Sequence, residues 1–254
     1  MALVHALSER LRIRAIPILP HDAPGAIVVT GDDDQAYLEK YAEQLDLLGE
    51  TPITYFLHPK TRHRPDTLKS MLGKSWIEVE LHPDALDSPQ CYHEIFSEQA
   101  AWFRNLTGRP PRLVRNHGFL NDGYWGHLPD WLHHGIRGSA NIPGFDGRIL
   151  NGSLLPAQVA YSGKLTTHWS ILTAIGDGIR FAGGLSDKQS ADRIFTFADR
   201  IRSSGIPGVL VLNLHPQNVT ETTGMHLAIK EIINNGFHPW NLGQCLDWFS
   251  SRTS

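Results

Sequence analysis

Cysteine is nearly absent: Cys91 and Cys245 are the only two in 254 residues, and neither belongs to a CxxC pair. That excludes a disulfide framework and a thiolate zinc cluster, so any bound metal is expected to take nitrogen and oxygen ligands. Long apolar runs are missing as well, and no stretch approaches the roughly 20 residues of a membrane span. Near the N-terminus, charges at Glu9, Arg10, Arg12 and Arg14 interrupt the chain before a signal-peptide apolar region forms, which makes a cytoplasmic location the expectation. Charge of one sign is not in excess, with 23 Lys and Arg against 26 Asp and Glu and a net charge of -3. Neither nucleic acid nor an anionic membrane is an expected partner. Repeats, low-complexity tracts and linkers are also lacking, so residues 1–254 are expected to form a single domain.

Ordinary globular material is present, with 41% apolar residues, 23 Gly and 16 Pro. Short apolar runs alternate with segments of helical period, and Gly or Pro stands at most joins. Ala26 to Thr30 reads as a strand and Gln35 to Leu48 as its helix, with Gly49 at the C-cap. The pair recurs as Ile53 to Leu57 with Pro65 to Leu72, Trp76 to Leu81 with Pro89 to Leu106, and Leu113 to Asn116 with Tyr124 to His133. Ile136 to Ile142 and Arg148 to Val159 suggest short strands and loops. A helix over Lys188 to Ile201, a strand over Val209 to Leu214 and a helix over Met225 to Ile233 follow. The segment between Gly138 and Asp187 is otherwise not placed by its pattern. Repeated strand–helix pairs imply a parallel α/β sheet, whose ligands bind at the C-terminal strand ends.

Those ends are rich in Asp and His. Strand by strand they read Thr30-Gly31-Asp32-Asp33-Asp34, His58-Pro59, Glu80-Leu81-His82-Pro83, Arg115-Asn116-His117-Gly118 and Asn213-Leu214-His215-Pro216. Any single His-Pro is more often a turn than a ligand. Together they fit a different reading, because three adjacent carboxylates stay ionised most easily beside a cation or an Arg. An Asp with two imidazoles is a usual set for a hydrolytic zinc site that leaves a position for water. A further Asp and His would act as base and acid, which points to hydrolysis of an amide or ester.

Thr30-Gly31-Asp32-Asp33, His82, Arg115 and Leu214-His215 resemble, in order and spacing over residues 26 to 236, the motifs of the polysaccharide deacetylases, carbohydrate esterase family four. The resemblance implies a distorted (β/α) barrel with fewer than eight strands. It further implies metal-dependent removal of acetyl groups from an N-acetylated sugar or polysaccharide. Asp32 would be the base, Asp33 a metal ligand, Arg115 the partner of the base and His215 the general acid. Zn2+ is the expected ion, with Co2+, Mn2+ or Ni2+ as alternatives.

The sequence departs from the family pattern in places. Gly31 and Asp34 stand where the family has Phe and Gly, and Asp34 remains an alternative ligand. In an extended strand Asp32 and Asp34 would share a face and Asp33 would point away. The second motif's second His is replaced by Leu86. His117 is the most attractive substitute, ahead of His93 and His58. Asn213 replaces the Leu that helps form the family's small acyl pocket. Thr167-His168-Trp169 and Asp177 lie in the fourth motif's stretch without matching it. Trp125, Trp131 and Trp169 suit either a sugar platform or the core, the core being commoner. Two rival readings accompany the deacetylase: a degenerate barrel that binds carbohydrate or protein, and a deacylase of a small acylated amine.

Overall fold

The computed structural model describes residues 18–123, 125–144 and 154–252. In chain order the elements are β1 (Gly25–Asp32), α1 (Leu38–Leu48), β2 (Ile53–Leu57), α2 (Pro65–Leu72), β3 (Ile77–Leu81), α3 (Tyr92–Thr107), β4 (Leu113–Val114), α4 (Leu128–His133) and β5 (Gly138–Pro143). They continue with β6 (Ala157–Tyr161), β7 (Lys164–Thr173), β8 (Ile175–Gly176), α5 (Gly178–Ala182), α6 (Asp187–Ser204), β9 (Gly208–Asn213), α7 (Thr223–Asn234), β10 (His238–Trp240) and α8 (Leu242–Ser250). Among the described residues no helix is long and apolar enough to cross a membrane, and Cys91 and Cys245 are both free.

Strands β1 to β3 are buried along their whole length, as expected of parallel strands covered on both faces. Parallel pairing runs β9-β1-β2-β3-β4-β5-β7. The sheet then closes on itself. Beyond Thr173, β7 continues through Ala174, whose N–H donates to the Val211 carbonyl at 2.9 Å, into β8, which pairs with β9 in parallel. One interrupted strand therefore bonds β5 with its first part and β9 with its second. The described residues thus form a ring of seven staves, the distorted barrel of fewer than eight strands expected from the sequence. β6 is the antiparallel hairpin partner of β7, and β10 extends along the start of β1.

Strand alternation sorts the core into two parts. Ala26 and Val28 of β1 join Phe56, Ile171, Val211 and the α8 residues Leu242, Cys245 and Leu246. Ile27 and Val29 join the larger cluster that includes Tyr41 and Leu48 of α1 and Ile194 and Ile201 of α6. Thr30 and Asp32 continue the face of Ala26 and Val28, so the end of β1 delivers Asp32 to the mouth of the ring.

Several boundaries differ from the sequence reading. Pro89 opens a single tight turn, Pro89–Cys91, and the regular helix begins at Tyr92. Tyr124 and residues 148–153 lie outside the described residues. β7 emerges from the stretch that the pattern left unplaced. It is joined to β6 through Ser162 and Gly163, whose φ angles of 49° and 75° make the two-residue hairpin turn favoured by strand twist.

Candidate active site

The carboxylates that follow β1 divide between two environments. Asp32 is buried at the strand end, where Arg115 Nη1 donates to its Oδ1 and Asn213 Nδ2 to its Oδ2, both at 2.8 Å. Arg115 is itself fully buried and spends its other donors on the Ala140 carbonyl (3.1 Å) and the Thr30 hydroxyl (2.6 Å). Burial alone would raise the Asp32 pKa, but Arg115, His82 and His215 outweigh it and hold the carboxyl below its ordinary range.

Asp33 turns the other way. Its backbone N–H donates to the Phe56 carbonyl at 3.0 Å, and its Oδ1 accepts from the Tyr41 hydroxyl of α1 at 2.5 Å. Burial raises the Asp33 pKa, with bonds from Thr61, Tyr41 and the His58 backbone pulling against it.

Asp34 returns to the mouth of the ring because the chain bends there, with positive φ at Asp34 (36°) and Gln35 (63°). Its Oδ1 lies 3.3 Å from His82 Nε2 and 3.1 Å from His117 Nδ1, and those two nitrogens are 3.1 Å apart. Gly31 belongs to this local geometry. A Cβ there would meet the Leu214 carbonyl oxygen at 2.8 Å, so the close approach of that backbone leaves no room for a side chain.

The triangle of Asp34, His82 and His117 fits a divalent cation. His82 Nδ1 donates to the Arg115 carbonyl at 2.6 Å, which fixes the tautomer and leaves the Nε2 lone pair facing the triangle. Asp34 Oδ1 is buried without a hydrogen bond of acceptable geometry. Ligands at about 2.0–2.1 Å from one ion stand roughly 3.3 Å apart in a tetrahedral site, close to the three distances observed. Asp33, first considered as the carboxylate ligand, is outside this group, whereas Asp34, the alternative, is in it.

His117 takes its place through the tight turn His117–Phe119, whose Gly118 has φ 60°, and through its N–H, which donates to the Pro83 carbonyl at 2.8 Å. Of the other two imidazoles considered, His93 pairs with Asp130 on α4 at 2.5 Å. His58 does approach His117 and, with Asp84, forms a second group of potential ligands. Its Nδ1 accepts the Lys60 N–H at 3.0 Å, so the ring proton sits on Nε2, which donates to Asp84 Oδ2 at 3.1 Å. That arrangement leaves neutral His58 no lone pair for an ion.

His215 lies on the opposite side of Asp32. Its Nδ1 and its backbone N–H both bond Asp177, at 2.5 and 2.8 Å, and Asn218 adds a bond to the same carboxylate at 3.1 Å. His215 Nε2 faces Asp34 Oδ2 at 3.4 Å and Asp32 Oδ2 at 3.8 Å. Burial disfavours the imidazolium, but Asp177 first, and then Asp32 and Asp34, raise its pKa to about 9. Asp177 was visible in sequence only as an acidic residue in the right stretch. What identifies its role is that β8 pairs with β9, which sets residue 177 beside 213–215.

Other residues singled out in the sequence belong to the core. Trp131 and Trp169 are buried, and Trp125 packs against the larger core. His168 is fully buried between the Ile136 carbonyl and the Ser139 hydroxyl.

No family model and no curated protein matches the chain. Solved structures do match. A Mycobacterium smegmatis protein assigned to the polysaccharide deacetylases superposes with a TM-score of 0.72 at 18% identity, over 94% of this chain and 95% of that one. The chain has the polysaccharide-deacetylase fold. A Pseudomonas aeruginosa protein with the same assignment gives 0.69 at 14% identity, over 93% and 94%. A carbohydrate esterase family four pseudoenzyme from Bacillus anthracis gives 0.57 at 13% identity, over 88% of this chain and 66% of that one. A polysaccharide-deacetylase fold thus occurs with and without catalysis, so function has to be argued from the site.

Proposed function

We propose that the protein is a metal-dependent deacylase that cleaves the amide bond of an N-acylated amine, with an N-acetylated sugar or polysaccharide as the first substrate class to examine. The observation that carries this reading is the convergence of Asp34 Oδ1, His82 Nε2 and His117 Nδ1 within 3.3 Å of one another, flanked by Asp32 and His215. Asp34, His82 and His117 are the proposed ligands, with Zn2+ the first ion to test and Co2+, Mn2+ and Ni2+ as alternatives. A divalent ion held there supplies a Lewis acid and lowers the pKa of water at the site.

The remaining roles follow from the hydrogen bonds. Asp32, kept ionised and oriented by Arg115 and Asn213, accepts the proton of the attacking water. His215, held as an imidazolium by Asp177, presents its Nε2 proton to the departing nitrogen, which otherwise leaves as an unstable amide anion. Base and acid have opposite charge at neutral pH, as the reaction requires. What supports an enzymatic over a binding-only reading is that the residues proposed as ligands and those proposed as base and acid converge at one mouth.

The deciding experiment combines metal content by mass spectrometry with release of the free carboxylic acid from N-acetylated sugars and small N-acylamines. About one ion per chain is expected, with loss of both metal and turnover in His82→Ala and in His117→Ala. A parent protein that takes up no Zn2+, or a His82→Ala variant that binds and turns over like the parent, overturns the proposal.

A further inference from the structure

Beside the acid–base pair is a cavity of about 470 Å3. Its lining includes Phe119, Pro143, Ile179 and Ala182, and it reaches Asn213 and His215. Of the polar side-chain atoms on its wall, Asn213 Oδ1 is buried without a partner, and most of the others are already committed. Thr173 donates its hydroxyl to the Ala140 carbonyl at 2.9 Å, Asn213 Nδ2 is committed to Asp32, and His215 Nδ1 is committed to Asp177. The volume falls within the range of small-molecule sites. The methyl of an acetyl group is about the size of a water molecule and fills only a small part of this space.

We infer that the cavity takes the acyl chain of the substrate and that the chain is longer than acetyl, in the range of hexanoyl to octanoyl. This inference rests on the deacylase reading above and names the substrate class for the same site. The cavity adjoins the imidazole that faces Asp32 and Asp34, so an acyl carbon next to the scissile carbonyl can enter it directly. A sugar does not suit it. Its hydroxyls would be stranded against apolar walls, so the amine part of the substrate lies on the open side of the site.

The experiment measures kcat/KM of the metal-loaded enzyme for N-acetyl, N-butanoyl, N-hexanoyl and N-octanoyl glucosamine. It also measures binding of acetate, hexanoate and octanoate to the metal-free protein by calorimetry. Each methylene that enters an apolar cavity is worth up to about fourfold, the equivalent of about 0.8 kcal/mol. The expected gain from acetyl to hexanoyl is therefore about 10-fold or more.

Gly176 provides the matching variant. It is in register with Asn213, so a side chain there stands on the same face, and a Cβ would meet only the Asn213 oxygen and Cβ, at 3.6 and 3.8 Å. Gly176→Val is expected to fold with the parent's thermal midpoint and to lower the ratio of hexanoyl to acetyl turnover by about 10-fold. Turnover that is fastest with acetyl overturns the inference and leaves the deacylase reading standing. So does a preference that follows alkyl groups on the amine in a series of N-acetylalkylamines. No turnover of any member, with octanoate bound more tightly than acetate and released by Gly176→Val, removes the deacylase reading and keeps an acyl-chain site. Absence of both turnover and chain-length-dependent binding removes both.

Discussion

His215 and Asp177 are joined twice, through the imidazole Nδ1 at 2.5 Å and through the backbone N–H at 2.8 Å. The two bonds fix the ring plane and leave Nε2 as the ring nitrogen that faces Asp32 and Asp34. Asp177→Asn keeps the size of the side chain but removes the charge that stabilises the imidazolium. Turnover is expected to fall about 100-fold, the usual scale for impairing a general acid, while metal content stays at the parent level. An Asp177→Asn enzyme with parental kcat would mean that His215 needs no such partner.

Two of the three consecutive carboxylates, Asp34 and Asp33, predict different phenotypes. Asp34→Ala removes a corner of the triangle and is expected to lose bound metal. Tyr41→Phe takes the hydroxyl from the buried Asp33, which should cost about 1–3 kcal/mol of stability without changing metal content. Metal analysis and denaturant titration of both variants check this. Loss of metal in Tyr41→Phe, with retention in Asp34→Ala, would return the ligand role to Asp33.

How far the sequence led is clearest at these same residues. The strand–helix alternation up to Val114 was readable because the parallel strands are short buried segments rich in β-branched, aromatic and leucine residues, with Gly or Pro within a few residues of most of their ends. The end of β1 was not, because a strand's two-residue period places Asp32 and Asp34 together only if the strand persists. Here it stops at Asp32, and the positive φ of Asp34 redirects the carboxylate to the same mouth by another path. Asp177 was hidden for a topological reason. Its partner lies 38 residues away, and nothing local indicates that β7 continues into β8 and crosses from β5 to β9. His117 was a reasonable choice from adjacency, since β3 pairs with β4 and their ends carry His82 and His117.

Arg115 and Asp32 form a buried ion pair, and breaking one side of such a pair leaves the other charge stranded. Arg115→Met is expected to cost about 3–5 kcal/mol. Combined with Asp32→Asn, which removes the orphaned charge, the double variant should be more stable than Arg115→Met alone. Denaturant unfolding of the two single variants and the double variant gives the coupling. Additive effects would show that the pair does not act as a unit.

His168 sets part of the acid limit of the fold. Its ring is neutral and fully buried, with Nδ1–H donating to the Ile136 carbonyl at 3.2 Å and Nε2 accepting from the Ser139 hydroxyl at 2.9 Å. Burial pushes its pKa down to about 4, against 6.5 for an exposed imidazole. Below pH 6.5 the unfolded chain binds a proton at this position that the folded chain refuses, so stability is lost as pH falls from about 6.5 to about 4. Glu80 works in the opposite sense. Burial, together with the neighbouring Glu78, raises its pKa despite Arg109, so the folded state takes up a proton there more readily than the unfolded chain does. His168→Gln removes the first contribution and leaves the second. Unfolding free energies measured at pH 7.5, 6.0 and 5.0 should therefore fall less steeply in His168→Gln than in the parent, even though the variant starts from lower stability. Parallel pH profiles would mean that His168 takes up its proton equally in the folded and unfolded chains.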